Sequence, residues 1–288
     1  MTVSAQKVTK MRVWVGDQVA YQKNIEQVDS ITFVEIVDGM LEGEFSVSES
    51  QKVHFAQGNL QYQASTDTWR FAADQYDMIG DDNAKISDSY SGWIDLFGWG
   101  TGNNPTKTST ASYSYETFVD WGSNAISNGG NEAGLWRTLS SEEWEYILFN
   151  RPNAATLFGL GTVNGVNGVI LLPDNWQLPD GASFIASTTK GLALQGNMYF
   201  NGEGDNFSHN TYNLVQWYVL EDAGAVFLPA AGYRSGSVMN DVGSHGYYYT
   251  PTPYNGIKAY SLFFGPYAFH AQGSTKERKC GMSVRLAR

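Results

Sequence analysis

The sequence predicts an α+β fold in which short strands, turns and irregular segments outnumber helices. The 288 residues include 31 Gly, 17 Tyr, 15 Phe and 9 Trp, and only 16% of the residues are charged. Aromatic residues favour strands and glycine favours turns, whereas disordered chains are typically rich in charge and poor in aromatic residues. Helical periodicity is confined to two short segments, so we expect short strands and few helices.

The first 45 residues predict a small β extension. Met11–Val15 and Val19–Tyr21 read as short strands with period-two alternation, and Ile31–Val37 reads as a third strand. Glycine and acidic residues then break the pattern, so we place a domain boundary near residue 45, with the extension at 1–45 and the main domain at 46–288. The extension is too short to bury its own core, and we expect it to pack on the domain that follows.

The main domain opens with three short strand signals separated by turns. Lys52–Phe55, Leu60–Tyr62 and Trp69–Phe71 have the spacing of a meander. Further along the chain, Val169–Leu172 and Ala225–Leu228 are continuous apolar runs, each followed by a proline. Runs of this length that end at a proline predict buried strands.

Two segments predict helices. In Ser140–Asn150, Ser140 and Glu143 have the spacing of a capping box, in which each residue satisfies a backbone donor of the other. A second helix is predicted at about 212–222, before Gly224. The apolar side chains that fall on one face of the first helix are Trp144, Ile147 and Leu148.

Two long stretches, 80–130 and 177–211, predict irregular chain. They hold many Gly, Asn, Ser and Thr residues and few periodic apolar positions. Irregular segments of this length in a packed domain commonly carry function.

The charge balance argues against nucleic acid as a partner. The chain has 18 basic and 29 acidic residues, a net charge of −11, and an acidic surface repels phosphate backbones. No apolar run reaches the roughly 20 residues that a membrane span requires, so we expect no transmembrane segment. Basic residues concentrate only near the end of the chain, at Lys276, Arg278, Lys279, Arg285 and Arg288.

Metal and thiol chemistry have little support in the sequence. Cys280 is the single cysteine, so no internal disulfide can form, and four scattered histidines do not give the spacing of a zinc site. We expect no cofactor. A structural calcium ion is an alternative that no motif supports, because the carboxylates in this part of the chain lack the order of a calcium loop. These carboxylates are Asp74, Asp77, Asp81, Asp82 and Asp88.

Several segments carry a family resemblance. Trp136–Tyr146 resembles the conserved helical segment of the formylglycine-generating-enzyme-like proteins, which have a variant of the C-type lectin-like fold. Further segments look like the "major paralogous domain" surface proteins of gut bacteria; they are Val53–Tyr62, Trp69–Tyr76, Trp93–Gly100, Phe227–Arg234, Gly246–Tyr249, Ala259–Leu262 and Gly281–Leu286. The resemblance covers most of 46–288 and implies a C-type lectin-like fold with short strands, two helices and long loops.

The resemblance implies a binding protein more than an enzyme. The oxidase that names the larger family uses two active-site cysteines, and this chain has only Cys280. The motifs of calcium-dependent sugar-binding lectins are also absent. We therefore expect a non-enzymatic binding or adhesion protein. Three alternatives stay open: a variable protein of a diversity-generating retroelement, a fimbrial or envelope assembly subunit, and a divergent enzyme of the formylglycine-generating type.

The same resemblance implies a location and a class of partner. Its members are secreted or lipid-anchored surface proteins, so we expect a cell-surface or extracellular protein, lipid-anchored at the outer membrane, whose export signal lies outside this sequence. The expected partner is a glycan or a protein, and we expect the chain to be a monomer.

The C-terminal third carries the candidate binding residues. Between 245 and 270, aromatic residues alternate with Ser, Thr, Asn and Gly, the mixture that antibody loops use for contact and hydrogen bonding. Because alternate side chains of a strand point to opposite faces, we expect residues such as Tyr248, Leu262 and Phe264 to pack in the core. The candidate ligand contacts are Tyr233, Arg234, Tyr247, Tyr249, Tyr254, Asn255, Tyr260, Tyr267 and His270.

Overall fold

The computed structural model describes residues 10–15, 18–28, 37–187, 206–266, 268–272 and 274–288. The chain divides into two units, Met1–Glu35 and Ile36–Arg288. In the first unit, β1 (Lys10–Val15) and β2 (Gln18–Asn24) form an antiparallel hairpin, as the sequence predicts. The predicted strand Ile31–Val37 lies outside the described residues, except for Val37, which begins a 3₁₀ turn.

The second unit combines many short strands with two α-helices among its described residues, which confirms the predicted α+β class. The helices are α1 (Ser141–Glu145) and α2 (Leu214–Asp222). The strands are β3 (Met40–Ser46), β4 (Lys52–Ala56), β5 (Leu60–Gln63), β6 (Thr68–Phe71), β7 (Arg137–Thr138), β8 (Phe158–Val163), β9 (Val166–Leu171), β10 (Thr211–Tyr212), β11 (Val226–Pro229), β12 (Tyr233–Ser235), β13 (Val238–Asn240), β14 (Gly246–Pro253), β15 (Lys258–Gly265), β16 (Ala268–His270), β17 (Thr275–Glu277) and β18 (Leu286–Ala287).

Three four-stranded sheets organise this unit. Their strand orders are β3-β4-β18-β7, β10-β8-β9-β11, and β14-β15-β16 with β17 also paired to β15. Two ribbons, β5-β6 and β12-β13, complete the pairing. The last strand, β18, therefore lies between β4 from the start of the unit and β7 from its middle, so the end of the chain joins distant parts of the sequence.

The predicted meander is wrong. β4 pairs with β3 and β18, while β5 pairs with β6 in a separate ribbon. The amide of Leu60 donates to the carbonyl of Val284 at 2.9 Å, so β5 finds its second neighbour in the C-terminal segment. Local turn spacing predicts each strand correctly but carries no information about a partner more than 200 residues away. β3 crosses the boundary predicted near residue 45 and pairs within the second unit.

Both helices form close to where the sequence predicts them. The capping box of α1 is present: the Glu143 amide donates to Ser140 Oγ at 3.2 Å, and the Ser140 amide donates to Glu143 Oε2 at 2.8 Å. The chain continues as a π-helical turn over Tyr146–Asn150. Trp144, Ile147 and Leu148 are buried as predicted. No helix among the described residues is long and apolar enough to cross a membrane.

Aromatic residues hold the irregular stretch 80–130 against the sheets. Within it, Trp99 and Trp121 are buried. Trp121 packs 6.2 Å from Tyr249 of β14, and Phe97 packs 5.4 Å from Trp69 of β6, measured between ring centroids. Ring contacts of this kind add to the area that each side chain removes from water. The described residues of 80–130 form 3₁₀ turns and single bridges but no longer strand, as the sequence predicts.

A buried arginine connects the C-terminal segment to two other parts of the unit. Arg285 is 2% exposed. Its guanidinium donates to the carbonyls of Ala56 at 2.8 Å and Phe227 at 2.7 Å, and to the side-chain oxygen of Asn59 at 3.1 Å. Burial lowers the pKa of Arg285 to about 10, so the group stays charged at neutral pH and its N–H donors remain available to the carbonyls.

Arg285→Leu is expected to lower the free energy of unfolding, because the carbonyls of Ala56 and Phe227 then lose their donor inside the protein. A buried acceptor left unpaired costs about 1–3 kcal/mol. Urea unfolding measures the change. The matched control is Arg137→Leu, whose side chain is 43% exposed and pairs with Glu143; there we expect a loss of about 1 kcal/mol or less. Equal stability of Arg285→Leu and the wild type would contradict this account.

Candidate functional site

The sheet formed by β14, β15, β16 and β17 has one face in the core. Tyr248, Leu262, Phe264 and Phe269 are each at most 1% exposed and pack in the same apolar cluster. The Tyr248 hydroxyl donates to the carbonyl of Pro229 at 2.9 Å. The sequence correctly assigns the first three of these residues to the core, because period-two alternation separates them from the neighbours that point outward.

The opposite face of this sheet carries a group of rings that we call the ring face. Tyr247 on β14 lies directly across from Phe263 on β15, and Phe263 lies across from His270 on β16. Cross-strand neighbours of this kind are close enough for their side chains to pack together. The ring face consists of Tyr233, His245, Tyr247, Phe263, His270 and Lys276, all partly exposed except Tyr247, which is 6% exposed.

The rings of this face form a continuous stack. His245 and His270 lie on either side of Phe263, with centroid distances of 5.5 and 5.8 Å and interplanar angles of 16° and 23°. Tyr247 packs 5.0 Å from Phe263, and Tyr233 packs edge-on against Tyr247 at 5.1 Å. Each ring therefore packs against at least one neighbour, which restricts its rotamers before any ligand binds.

A lysine covers one end of the stack. Lys276 Nζ lies 3.8 Å from the centroid of the Tyr233 ring and 4.6 Å from that of the Tyr247 ring, distances at which an ammonium is attracted to the ring faces. Burial lowers the pKa of Lys276. The Tyr247 hydroxyl donates to Asp241 Oδ2 at 2.8 Å, and burial followed by this bond raises the pKa of Tyr247. This end of the face thus presents an ammonium, a carboxylate and two phenol rings.

Two predicted contact residues lie in the interior. Arg234 and Tyr249 are each 1% exposed. The Tyr249 ring stacks on Trp121 at 6.2 Å, and its hydroxyl donates to the carbonyl of Cys280 at 2.9 Å. Arg234 Nη1 donates to the Gly236 carbonyl at 2.8 Å. The expectation that both side chains reach the surface is wrong, because the C-terminal segment and the irregular stretch around Trp121 cover them.

Three other predicted residues lie at a separate place. Tyr254 and Asn255 are exposed at the turn between β14 and β15, and Tyr254 packs edge-on against Tyr260 at 5.4 Å. Asn255 Oδ1 accepts from the amides of Ile257 and Lys258, each at 2.9 Å, so this side chain shapes the turn. Tyr267 lies outside the described residues.

The basic residues near the end of the chain do not form a surface patch. Arg278 and Arg285 are 6% and 2% exposed and donate mainly to backbone carbonyls. Lys279 pairs with Glu277 at 2.9 Å. Cys280 is buried, and burial raises the pKa of its thiol. A covered thiol with a raised pKa is chemically inert in comparison with an exposed thiolate.

Three members of the ring face are absent from the predicted ligand contacts, namely His245, Phe263 and Lys276, although the first two lie within the predicted segment 245–270. Phe263 was detectable, because it is next to Leu262 on the strand and must point the other way. Lys276 was not, since its position beside Tyr233 depends on the pairing of β17 with β15.

The described residues contain no group of three or more His, Cys, Asp or Glu side chains placed to hold a metal ion. No protein-family model matches the chain, and neither a curated protein nor a solved structure matches it.

The half-buried His270 is expected to make stability depend on pH. Burial lowers the pKa of His270 below its ordinary 6.5, so the unfolded chain takes up the proton first as pH falls. The free energy of unfolding therefore decreases as pH drops from about 7 through the unfolded pKa. Urea unfolding at several pH values compares the wild type with His270→Gln. The difference in unfolding free energy between the wild type and His270→Gln should be constant above about pH 7. Below that pH the wild type should lose stability relative to the variant. A difference that is the same at every pH contradicts the prediction.

Proposed function

We propose that the chain is a non-enzymatic binding protein of a bacterial cell surface, and that the ring face contacts a glycan or protein ligand. The observation that carries this proposal is the stack of partly exposed rings on a fixed sheet, with the Lys276 ammonium over two of them. Rings that are already held in place lose little conformational entropy on binding. Tyrosine and similar side chains dominate the energetics of many interfaces.

The arrangement favours recognition of a surface over capture of a deep-bound small molecule. Phe263 and His270 present their rings on the neighbouring strands β15 and β16, and Tyr233 adds a ring from β12 beside Tyr247. The Tyr233 hydroxyl and the ring nitrogens of His270 lie among apolar ring surface, so a ligand gains both area and hydrogen bonds. Saccharide rings and the side chains of a partner protein both offer apolar patches beside polar groups.

Within the α+β class, we also propose a C-type lectin-like fold of the formylglycine-generating-enzyme-like variant. The segment that carries the resemblance supports it. In that segment Arg137 of β7 pairs with Glu143, which lies in α1, and the distance from Nη2 to Oε1 is 2.6 Å. The same glutamate completes the capping box, which orients the strand and the helix relative to each other. The proposed surface location, with a lipid anchor, rests on this family assignment.

Catalysis by paired thiols is not part of the proposal. Cys280 is the single cysteine of the chain and lies buried, with a thiol whose pKa burial raises. A neutral, covered thiol is a poor nucleophile.

The test is an array of glycans and cell-surface proteins probed with the wild type and with ring-face variants. Tyr233→Ala, His270→Ala and Lys276→Ala, combined in one chain, should weaken binding to the selected ligand by at least about tenfold, because each removes contact area from the same surface. The matched control is Tyr113→Ala, since Tyr113 is 70% exposed and lies outside the ring face. A ligand whose affinity survives the triple substitution in a chain with unchanged thermal stability would refute the assignment.

A further inference from the structure

A second surface, remote in sequence from the ring face, has the form of a binding groove. Two open grooves of about 350 and 440 Å³ lie in the stretch around the loop Thr101–Lys107, and both are lined by Asn103 and Asn104. Volumes of this size are typical of ligand sites. We call the smaller one the Asn104 groove; its lining includes Tyr62, Asp67, Trp69, Asp88, Asn104 and Asn124.

We propose that the Asn104 groove binds a neutral oligosaccharide, and that the adjoining groove receives the next sugar unit. This site does not depend on the ring face or on the function proposed for it. Uncommitted hydrogen-bonding groups, fixed walls and negative charge are the features of the groove that support a neutral sugar as its ligand.

Several polar groups in the groove have unused hydrogen-bonding capacity. Asn103 and Asn104 are exposed, and their side-chain amides make no hydrogen bond within the described part of the chain. Asp67 accepts from the Tyr62 hydroxyl through Oδ1 at 3.0 Å, and Asp88 accepts from Thr106 through Oδ1. Each carboxylate thus keeps its second oxygen for a ligand. An apolar ligand would leave these amides and carboxylates unpaired, whereas the adjacent hydroxyls of a sugar can form hydrogen bonds with them.

Aromatic rings form the floor between these groups. Tyr62 and Trp69 pack 4.6 Å apart and are 7% and 5% exposed, so only a small part of each ring reaches the groove. Burial and the bond to Asp67 raise the pKa of Tyr62 to about 12, which keeps the hydroxyl as a donor to Asp67. The ring area suits the apolar side of a sugar ring, while the carboxylates and amides reach its hydroxyls.

The walls of the groove are held by short backbone contacts. Gly100, at φ +65°, lies so close to the neighbouring segment that a Cβ atom would be 2.6 Å from Phe118 Cα. The Gly102 amide donates to the Val119 carbonyl, and the Val119 amide donates to the Gly100 carbonyl, each at 3.1 Å. Asn124 Nδ2 donates to the Gly102 carbonyl at 2.8 Å. The loop is therefore fixed at its base, and the exposed amides are carried on a preorganised frame.

The charge of the groove selects against acidic ligands. Its ionised side chains are Asp67 and Asp88, and no lysine or arginine among the described residues pairs with either. A uronate or sulfated sugar would face two carboxylates without a counter-ion. In this proposal the carboxylate and amide oxygens accept directly from sugar hydroxyls, without a bridging cation.

The experiment uses the full chain and an array of immobilised neutral oligosaccharides, with uronic-acid oligosaccharides alongside and EDTA present in a parallel run. The wild type should bind a neutral member, prefer it to the acidic ones and bind it equally well with EDTA. Asp67→Asn and Asp88→Asn should each weaken binding. The variant that combines both with Asn104→Ala should weaken it at least about tenfold. Asp81→Asn is the matched control, since Asp81 is an exposed aspartate outside the groove lining.

Ring-face variants separate this site from the first one. Lys276→Ala should leave binding of the neutral oligosaccharide unchanged, even if it abolishes binding of a ring-face ligand. The proposal is overturned if no neutral oligosaccharide binds, if binding is lost with EDTA, if acidic sugars bind more tightly, or if the combined groove variant binds like the wild type. Thermal unfolding of each variant confirms that it is folded.

Discussion

The buried guanidinium of Arg285 is the interaction on which the rest of the second unit depends. It donates to carbonyls of Ala56 and Phe227, which come from two different sheets, and it belongs to the segment that ends in β18. Uncharged oxygen atoms accept its hydrogen bonds, and burial lowers its pKa only to about 10. Because a buried charge without donors and acceptors in place is costly, this geometry specifies one arrangement of three chain segments.

The aromatic excess of the sequence serves the interior more than the surface. Trp69, Trp121 and Trp136 lie in one apolar cluster with Tyr247 and Tyr249. These rings pack the irregular stretch 80–130 against the C-terminal segment, so the long loops have defined positions at the surface. Both candidate sites follow from this packing: the ring face is the outer edge of the same cluster, and the Asn104 groove is built on loops that the cluster holds.

Two surfaces of different chemistry on one rigid unit suggest different tasks. The ring face offers ring area with an ammonium, while the groove offers amides and carboxylates over a small aromatic floor. Neither requires the backbone to rearrange, because neighbouring rings hold the ring face and hydrogen bonds fix the base of the loop that carries Asn103 and Asn104. Preorganisation lowers the entropy lost on binding and leaves specificity to the side chains at each surface.

The α+β class, the capping box of α1 and the inward residues Tyr248, Leu262 and Phe264 were predictable from the sequence alone. So were the positions of seven strands, β1, β2, β4, β5, β6, β9 and β11. These features depend on neighbours within a few residues, so periodicity and capping chemistry suffice to predict them. Three features became clear only from the tertiary structure. Arg234 and Tyr249 are buried, and Lys276 covers the Tyr233 ring. The C-terminal segment also lies between β4 and β5, which follow each other in the sequence. Those outcomes depend on contacts between segments far apart in the chain, and a single sequence carries no local signal for such pairing.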